Sequence, residues 1–297
     1  MAGAYILYND VLSAANAVPL LSHTSTGTST EVPTLPLPNL LDRRVAKIAR
    51  ITRANANQNA TTVLTFPLAS YSGEKSVRAI AIVGFRLTAD SGADLTSSLR
   101  FKVEVFSGPS TVVYASGGFG IVGSIVPKGV ALVALHVFPT VLTANEKIVL
   151  SVTRFAALSG NTESLDIGRV FVSDGLEFPE GVDADWNLVM ADSARVLRSS
   201  GQQIYAQPLP RYRVGRFKLP PVPEVIAIGS MQQPNSASLQ TMGLQVGTTG
   251  EVLIAPRTSD AIALSRLSIY GRFSRPVELR HLGGGNYGCD LEVEEGL

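Results

Sequence analysis

The sequence predicts an all-β protein: a jelly-roll sandwich, a second β-rich domain after it, and an extended N-terminal arm before it. Three observations carry that prediction. From about residue 60 to 175, short runs rich in Val, Ile, Thr and Phe recur, separated by turn-rich pieces such as "DSGAD", "SGPS" and "ALSGNTES". Strands of this length and spacing suit a sandwich or jelly roll rather than an alternating β/α layout. The first 40 residues instead join two short apolar pieces to a Ser/Thr/Gly run that ends in Pro33, Pro36 and Pro38.

Taken in order, residues 1–40 read as the arm. The stretch "SHTSTGTSTEVPTLPLPNL" favours extended, partly polyproline-like chain that buries little by itself. The apolar "YILYN" and "VLSAANAVPLL" before it leave two readings open: an arm that packs on something else, such as another subunit, or a floppy terminus. On the first reading, removing residues 1–38 is expected to weaken assembly and leave the sandwich folded.

Residues 41–178 read as the sandwich. "TTVLTFPLA", "VRAIAIVGFRL", "RFKVEVFSG", "STVVYASGG", "VALVALHVFP", "EKIVLSVTRFA" and "LDIGRVFVSDG" supply its candidate strands. The near-continuous apolar run at 77–87 predicts a central strand covered on both faces. Alternation in "RFKVEVF" points Phe101, Val103 and Val105 inward and Lys102 and Glu104 outward.

Residues 179–297 read as the second β-rich domain, an assembly domain. Trp186, the only tryptophan, sits beside acidic residues, and basic strands follow. A short helix is expected after residue 225, then strands at "EVLIAP" and "LSIYGRF". "GGGN" predicts a turn, because Gly and Asn tolerate positive φ, so the tail reads as a hairpin closing on "YGCDLEVEE".

That tail holds Asp290, Glu292, Glu294 and Glu295. Alternate residues of one strand face stand about 7 Å apart, too far to share a cation without ligands from another strand. The sequence therefore predicts a solvated, partly ion-paired face, with Arg272, Arg275 or Arg280 opposite.

No catalytic, cofactor or metal residue is predicted. His23, His136 and His281 are scattered, with no metal-binding spacing. "DADWN" at 183–187 lacks the glycine and closing glutamate of a calcium loop. "GGFGIVG" at 117–123 lacks the phosphate-binding order, and there is no G-x-S-x-G elbow. The lone Cys289 excludes an internal disulfide and lies in an alternating strand.

Composition limits partners. Net charge is +1 and only 16% of residues are charged, while 45% are hydrophobic, against about 25% charged in an average soluble domain. Apolar surface is therefore expected to be covered by something other than water. No apolar run reaches the ~18 residues of a spanning helix, so no membrane insertion is expected. The start lacks a basic signal-peptide region, which favours cytosolic synthesis. Two basic stretches, "DRRVAKIARITR" at 42–53 and "RYRVGRFKL" at 211–219, lack the aromatic platform of single-strand binders, and no nucleic-acid partner is predicted.

The stretch "LPNLLDRRVAKIARIT…TTVLTFPLASYSGEKSVRAIAIVGFRLT" resembles the opening of tail-tip proteins of long-tailed bacteriophages. In that pattern Asn39-Leu40-Leu41-Asp42-Arg43-Arg44 precedes a discoidin-like (galactose-binding-like) jelly roll. "LDIGRVFVSDGLEFPEGVDADWNL", "LPRYRVGRFKLP" and the ending at Glu294-Glu295-Gly296-Leu297 are also similar to later parts of such proteins. The resemblance implies a structural baseplate or distal-tail component, an oligomeric ring in the virion tail made in the host cytoplasm, with other tail proteins as partners. Jelly rolls of this type often bind carbohydrate, so it also implies an alternative: a receptor- or glycan-binding module. The candidate loops contain no Trp or Tyr for stacking on a sugar, which ranks that alternative second.

Overall fold

The structure, a computed structural model, describes residues 3–296 apart from 25–27, 57–60, 74, 121–130, 144, 155–160, 179–180, 183–184, 193–194, 199–203, 208–210, 231–236 and 259–260. The protein is all-β, and its first part is a jelly-roll sandwich. One sheet has five strands in the order Leu20–Thr24, Thr61–Pro67, Lys147–Arg154, Leu99–Phe106, Val112–Ala115, every neighbour antiparallel. Facing it are a three-stranded sheet (Val133–Leu142, Val77–Val83, Arg169–Ser173) and a four-stranded sheet (Thr28–Glu31, Ala49–Ala56, Asn161–Ile167, Arg86–Ala89).

Alternation builds the core between these faces. Phe101, Val103 and Val105 are fully buried, Lys102 is exposed and Glu104 is partly so, as the pattern of that segment predicts. They meet Ile80, Ile82, Val170 and Val172 from across the sandwich. Val77–Val83 is indeed a central, buried strand, but the run at 77–87 is two strands, and the second, Arg86–Ala89, is the outermost of the four-stranded sheet with Arg86 exposed. The chain breaks at Gly84, whose φ is +67° and where a Cβ would lie 2.4 Å from Val45 Cγ1. "LDIGRVFVS" breaks likewise at Gly168, which donates its N–H to the Val83 and Gly84 carbonyls. At both glycines the chain passes between the three- and four-stranded sheets.

The second part is an eight-stranded antiparallel sheet. Its order is Leu176–Phe178, Ala4–Tyr8, Val252–Ala255, Ile269–Phe273, Asn286–Glu295, Tyr212–Pro223, Asn187–Ala191, with Glu278–Gly283 also paired to Asn286–Glu295. The turn before Asn286 uses positive φ at Gly283, Gly284 and Gly285, as "GGGN" predicts. Helix Leu239–Val246, capped by Ser238, lays Leu239, Met242 and Val246 on this sheet's core.

The N-terminal arm is the main correction. Residues 4–8 are a strand inside the eight-stranded sheet, paired on one side with 176–178 and on the other with 252–255. Ala4, Ile6 and Tyr8 enter the C-terminal core, whereas Tyr5 and Leu7 pack with Ala79, Ala81 and Phe171 of the sandwich. Residues 20–24 and 28–31 are edge strands of the sandwich. The apolar pieces of the arm thus find partners within their own chain. Both expected boundaries move with them: residues before 41 belong to both parts, and Leu176–Phe178 belongs to the second sheet. Small residues at Ala79 and Ala81 let the two parts approach, so the three-stranded sheet is buried on both faces.

Candidate functional site

The acidic tail strand is matched carboxylate by carboxylate. Glu292 pairs with Arg216 at 3.0 Å, Glu294 with Arg272 at 3.7 Å, and Asp290 with Arg280. Glu295 is different, for it is buried and receives the Arg213 Nε at 3.0 Å and the Arg213 backbone N–H at 3.0 Å. The expected partners Arg272 and Arg280 are present. Arg213 and Arg216 were not expected, because the basic stretch at 211–219 lies some 80 residues away and nothing local marks it as the opposite strand.

The other basic stretch is also engaged with carboxylates. Arg44 and Lys47 reach Asp42, Arg50 grips Asp166 through two bonds of 2.6 and 2.8 Å, and Arg53 pairs with buried Glu163. Glu163 also meets Arg154 at 2.6 Å, so this ion cluster spans the two faces of the sandwich.

Arg169 forms the hub between the two parts. Its guanidinium, fully buried, bonds Asp10 at 2.7 Å, Glu251 at 2.6 Å, Ser13 Oγ at 2.8 Å and the Leu40 carbonyl at 3.1 Å. Asp10 also caps the short helix Val11–Ala14 and accepts the Val172 N–H at 2.8 Å. Tyr270 donates its hydroxyl to Glu251; burial, and next the Glu251 charge, raise its pKa so that it stays protonated. Along this seam runs a groove of about 390 Å³ whose walls include Arg43, Arg44, Gly271, Arg272 and Glu294. Its carboxylates Glu251, Glu294 and Glu295 are each held by an arginine, and burial raises the pKa of Glu251 although the Arg169 charge opposes it.

An aromatic cluster on the sandwich is the feature that loop composition missed. His136 stacks on Phe119 with centroids 5.0 Å apart, and its Nε2 lies 2.7 Å from the Tyr114 hydroxyl. Phe138 packs edge-on to both His136 and Tyr114. Tyr114, Phe119 and His136 are only half-buried. They come from two strands and an isolated bridge to Phe101, not from the loops where stacking residues were sought.

The remaining candidates are placed as follows. His23 Nδ1 lies 2.8 Å from Ser29 Oγ, and His281 packs edge-on to Tyr287. Trp186 stacks on Phe217. Cys289 is buried. Residues 183–184 of "DADWN" and 121–123 of the glycine run lie outside the described residues. Among the described residues no His, Cys, Asp and Glu cluster could hold a metal, and no helix is long and apolar enough to cross a membrane.

Among the described residues, exposed large hydrophobics concentrate at sheet edges. Leu20 (66% exposed) lies on one outer strand of the five-stranded sheet, and Val112 and Val113 lie on the other. Val189 and Met190 lie on the outer strand of the eight-stranded sheet, Val141 on an outer strand of the three-stranded one, and Leu282 on the strand paired only to 286–295. Val225 and Leu244 are the exceptions, on helices.

No protein-family model matches the chain, and neither does any curated protein. Among solved structures, it is similar to a mutant lectin binding domain of Lectinolysin complexed with Lewis b. That match has 12% identity and a TM-score of 0.32, and covers 56% of this chain and 97% of that one. A fucose binding module of Streptococcus pneumoniae gives 12% identity and a TM-score of 0.30, over 56% and 96%. At scores this low, the fold rests on the strand order described above.

Proposed function

We propose that this chain is a non-catalytic structural subunit that assembles through its sheet edges. The setting is the one its sequence resembles: the tail tip or baseplate of a long-tailed bacteriophage, with other tail proteins and further copies of itself as partners. The observation that carries this reading is the placement of Leu20, Val112, Val113, Val189 and Met190 on outermost strands. Natural edge strands are usually blunted by charge, proline or a covering segment, and apolar residues left there mark a place where another chain pairs. Light scattering over a range of concentrations, with negative-stain imaging, tests it. Mass rising to a defined oligomer is expected; a monomer throughout, with no particles in the images, overturns it.

A second reading, a glycan-binding module, is favoured by the half-buried Tyr114–Phe119–His136 cluster, which offers aromatic surface beside a polar ring. A glycan array on the intact protein and on Tyr114→Ala separates the two. Binding lost in the variant supports this second reading, and silence from the intact protein removes it.

A further inference from the structure

We propose that the strand Asn187–Ala191 is a self-pairing edge, which joins two copies of this chain antiparallel about a twofold axis at Val189. The inference rests on the assembly reading and names the partner for one of its edges.

Among the described residues the strand is outermost in the eight-stranded sheet and pairs only with Tyr212–Pro223. Its register there is regular from Asn187↔Arg216 to Ala191↔Tyr212, with no bulge to turn the edge away. Its sequence, NLVMA, has no charge and no proline, so the devices that blunt natural edges are missing. The opposite edge of the same sheet differs: Leu176–Phe178 is three residues long, and Leu176 and Phe178 are buried. Among the described residues the strands that follow, Arg195–Arg198 and Ile204–Gln207, pair with each other and not with this edge, where Val189 is 45% and Met190 55% exposed.

A second copy is the occupant that the pattern fits. Antiparallel pairing about Val189 sets Val189 against Val189 of the second copy, Leu188 against Met190, and Asn187 against Ala191. Apolar side chains then meet on each face and no like charges oppose one another, which is what cross-strand pairing requires. The flanking pair would be Trp186 against Asp192, again without repulsion. Five residues per copy make a contact far below the ~1,200 Å² of a stable isolated interface. Association through this edge alone is therefore concentration-dependent, and it gains strength from the other contacts of an assembly.

Cysteine trapping tests this on the full chain. Cys289 is buried, so Val189→Cys adds a single accessible thiol. Residues directly opposite in an antiparallel pair have Cα atoms about 4.5–5.5 Å apart, within disulfide range. Under mild oxidation Val189→Cys should form a covalent dimer rapidly, whereas Leu244→Cys, on an exposed helix face, should not. Val189→Lys should abolish the concentration-dependent rise in mass that this edge supports, with an unchanged circular dichroism spectrum. Equal cross-linking of the two cysteine variants, or a mass curve unaffected by Val189→Lys, overturns the pairing. In the latter case a persisting oligomer leaves the assembly reading standing and removes only this edge; a wild-type monomer at all concentrations removes both.

Discussion

Arg213 and Glu295 meet inside the protein, at the start of one strand and the end of its neighbour. Arg213 Nε lies 3.0 Å from Glu295 Oε1, the Arg213 N–H lies 3.0 Å from Oε2, and Arg213 Nη1 donates to the Arg266 carbonyl at 2.8 Å. The pair fastens the last strand where it would otherwise fray. Three other carboxylates of that strand have arginine partners too, but those arginines are more than half exposed.

Burial decides which of these pairs matters. Removing one member of a buried pair strands the other charge and typically costs about 3–5 kcal/mol, whereas an exposed pair contributes about 0–1 kcal/mol. Arg213→Ala should therefore lower the urea midpoint strongly, and Arg280→Ala should barely move it. Similar shifts for the two would mean that Glu295 is solvated in solution.

The contrast shows what the sequence could and could not reveal. Period-two alternation marked Phe101, Val103 and Val105 as inward, because a strand's facing is a local property. The alternation of "CDLEVEE" likewise sets Cys289, Leu291 and Val293 on one face, and that is the face the structure buries in the core. Pairing is not local. Nothing within residues 4–8 says that their partners are 176–178 and 252–255, so an apolar piece before a Pro-rich stretch read as an arm. The aromatic cluster was hidden in the same way, since Tyr114 and His136 are adjacent only across strands. Gly84 and Gly168 carried a signal, because an isolated glycine in a strand pattern marks close backbone approach. Their contact with Val45 supplies the reason.

Cys289 should be inert in the native protein. Burial, and next the neighbouring Asp290, push its thiol up to about 12, and the thiolate is the reactive form. At pH 8 a thiol reagent should label it only after unfolding, at a rate that tracks global opening. Fast stoichiometric labelling of the folded chain would show that the strand 286–295 opens locally.

The His136 site predicts a pH effect of known sign. Burial lowers its pKa below the ordinary 6.5, so the folded state disfavours the charged ring. Its contribution to stability is present above the unfolded value and is lost as pH falls through that value towards the depressed folded one. The urea midpoint should thus drop as pH goes from about 7.5 to 5.5. His136→Phe keeps a ring against Phe119 and should flatten the part of this slope that belongs to His136, which is read by comparing midpoints of both proteins across the range. An identical slope in the variant would assign the effect to other groups.

The strand Ala4–Tyr8 carries the largest predicted effect. All five of its residues are buried, and its two faces serve two different cores. Burying a large apolar side chain is worth about 1.5–3 kcal/mol. Tyr5, Ile6, Leu7 and Tyr8 together then approach the about 5–15 kcal/mol that holds a typical domain folded. Their removal also leaves Leu176–Phe178 without its sheet partner and exposes the edge of Val252–Ala255. A chain lacking residues 1–8 should lose protease protection of the eight-stranded sheet first, with cleavage concentrated after residue 178. The single change Ile6→Asp should act in the same direction, because it places a charge in the C-terminal core. Wild-type melting and protection in either variant would return these residues to the role of a dispensable arm. Loss of the fold, by contrast, would mean that assembly defects in N-terminal truncations report folding and not a missing subunit contact.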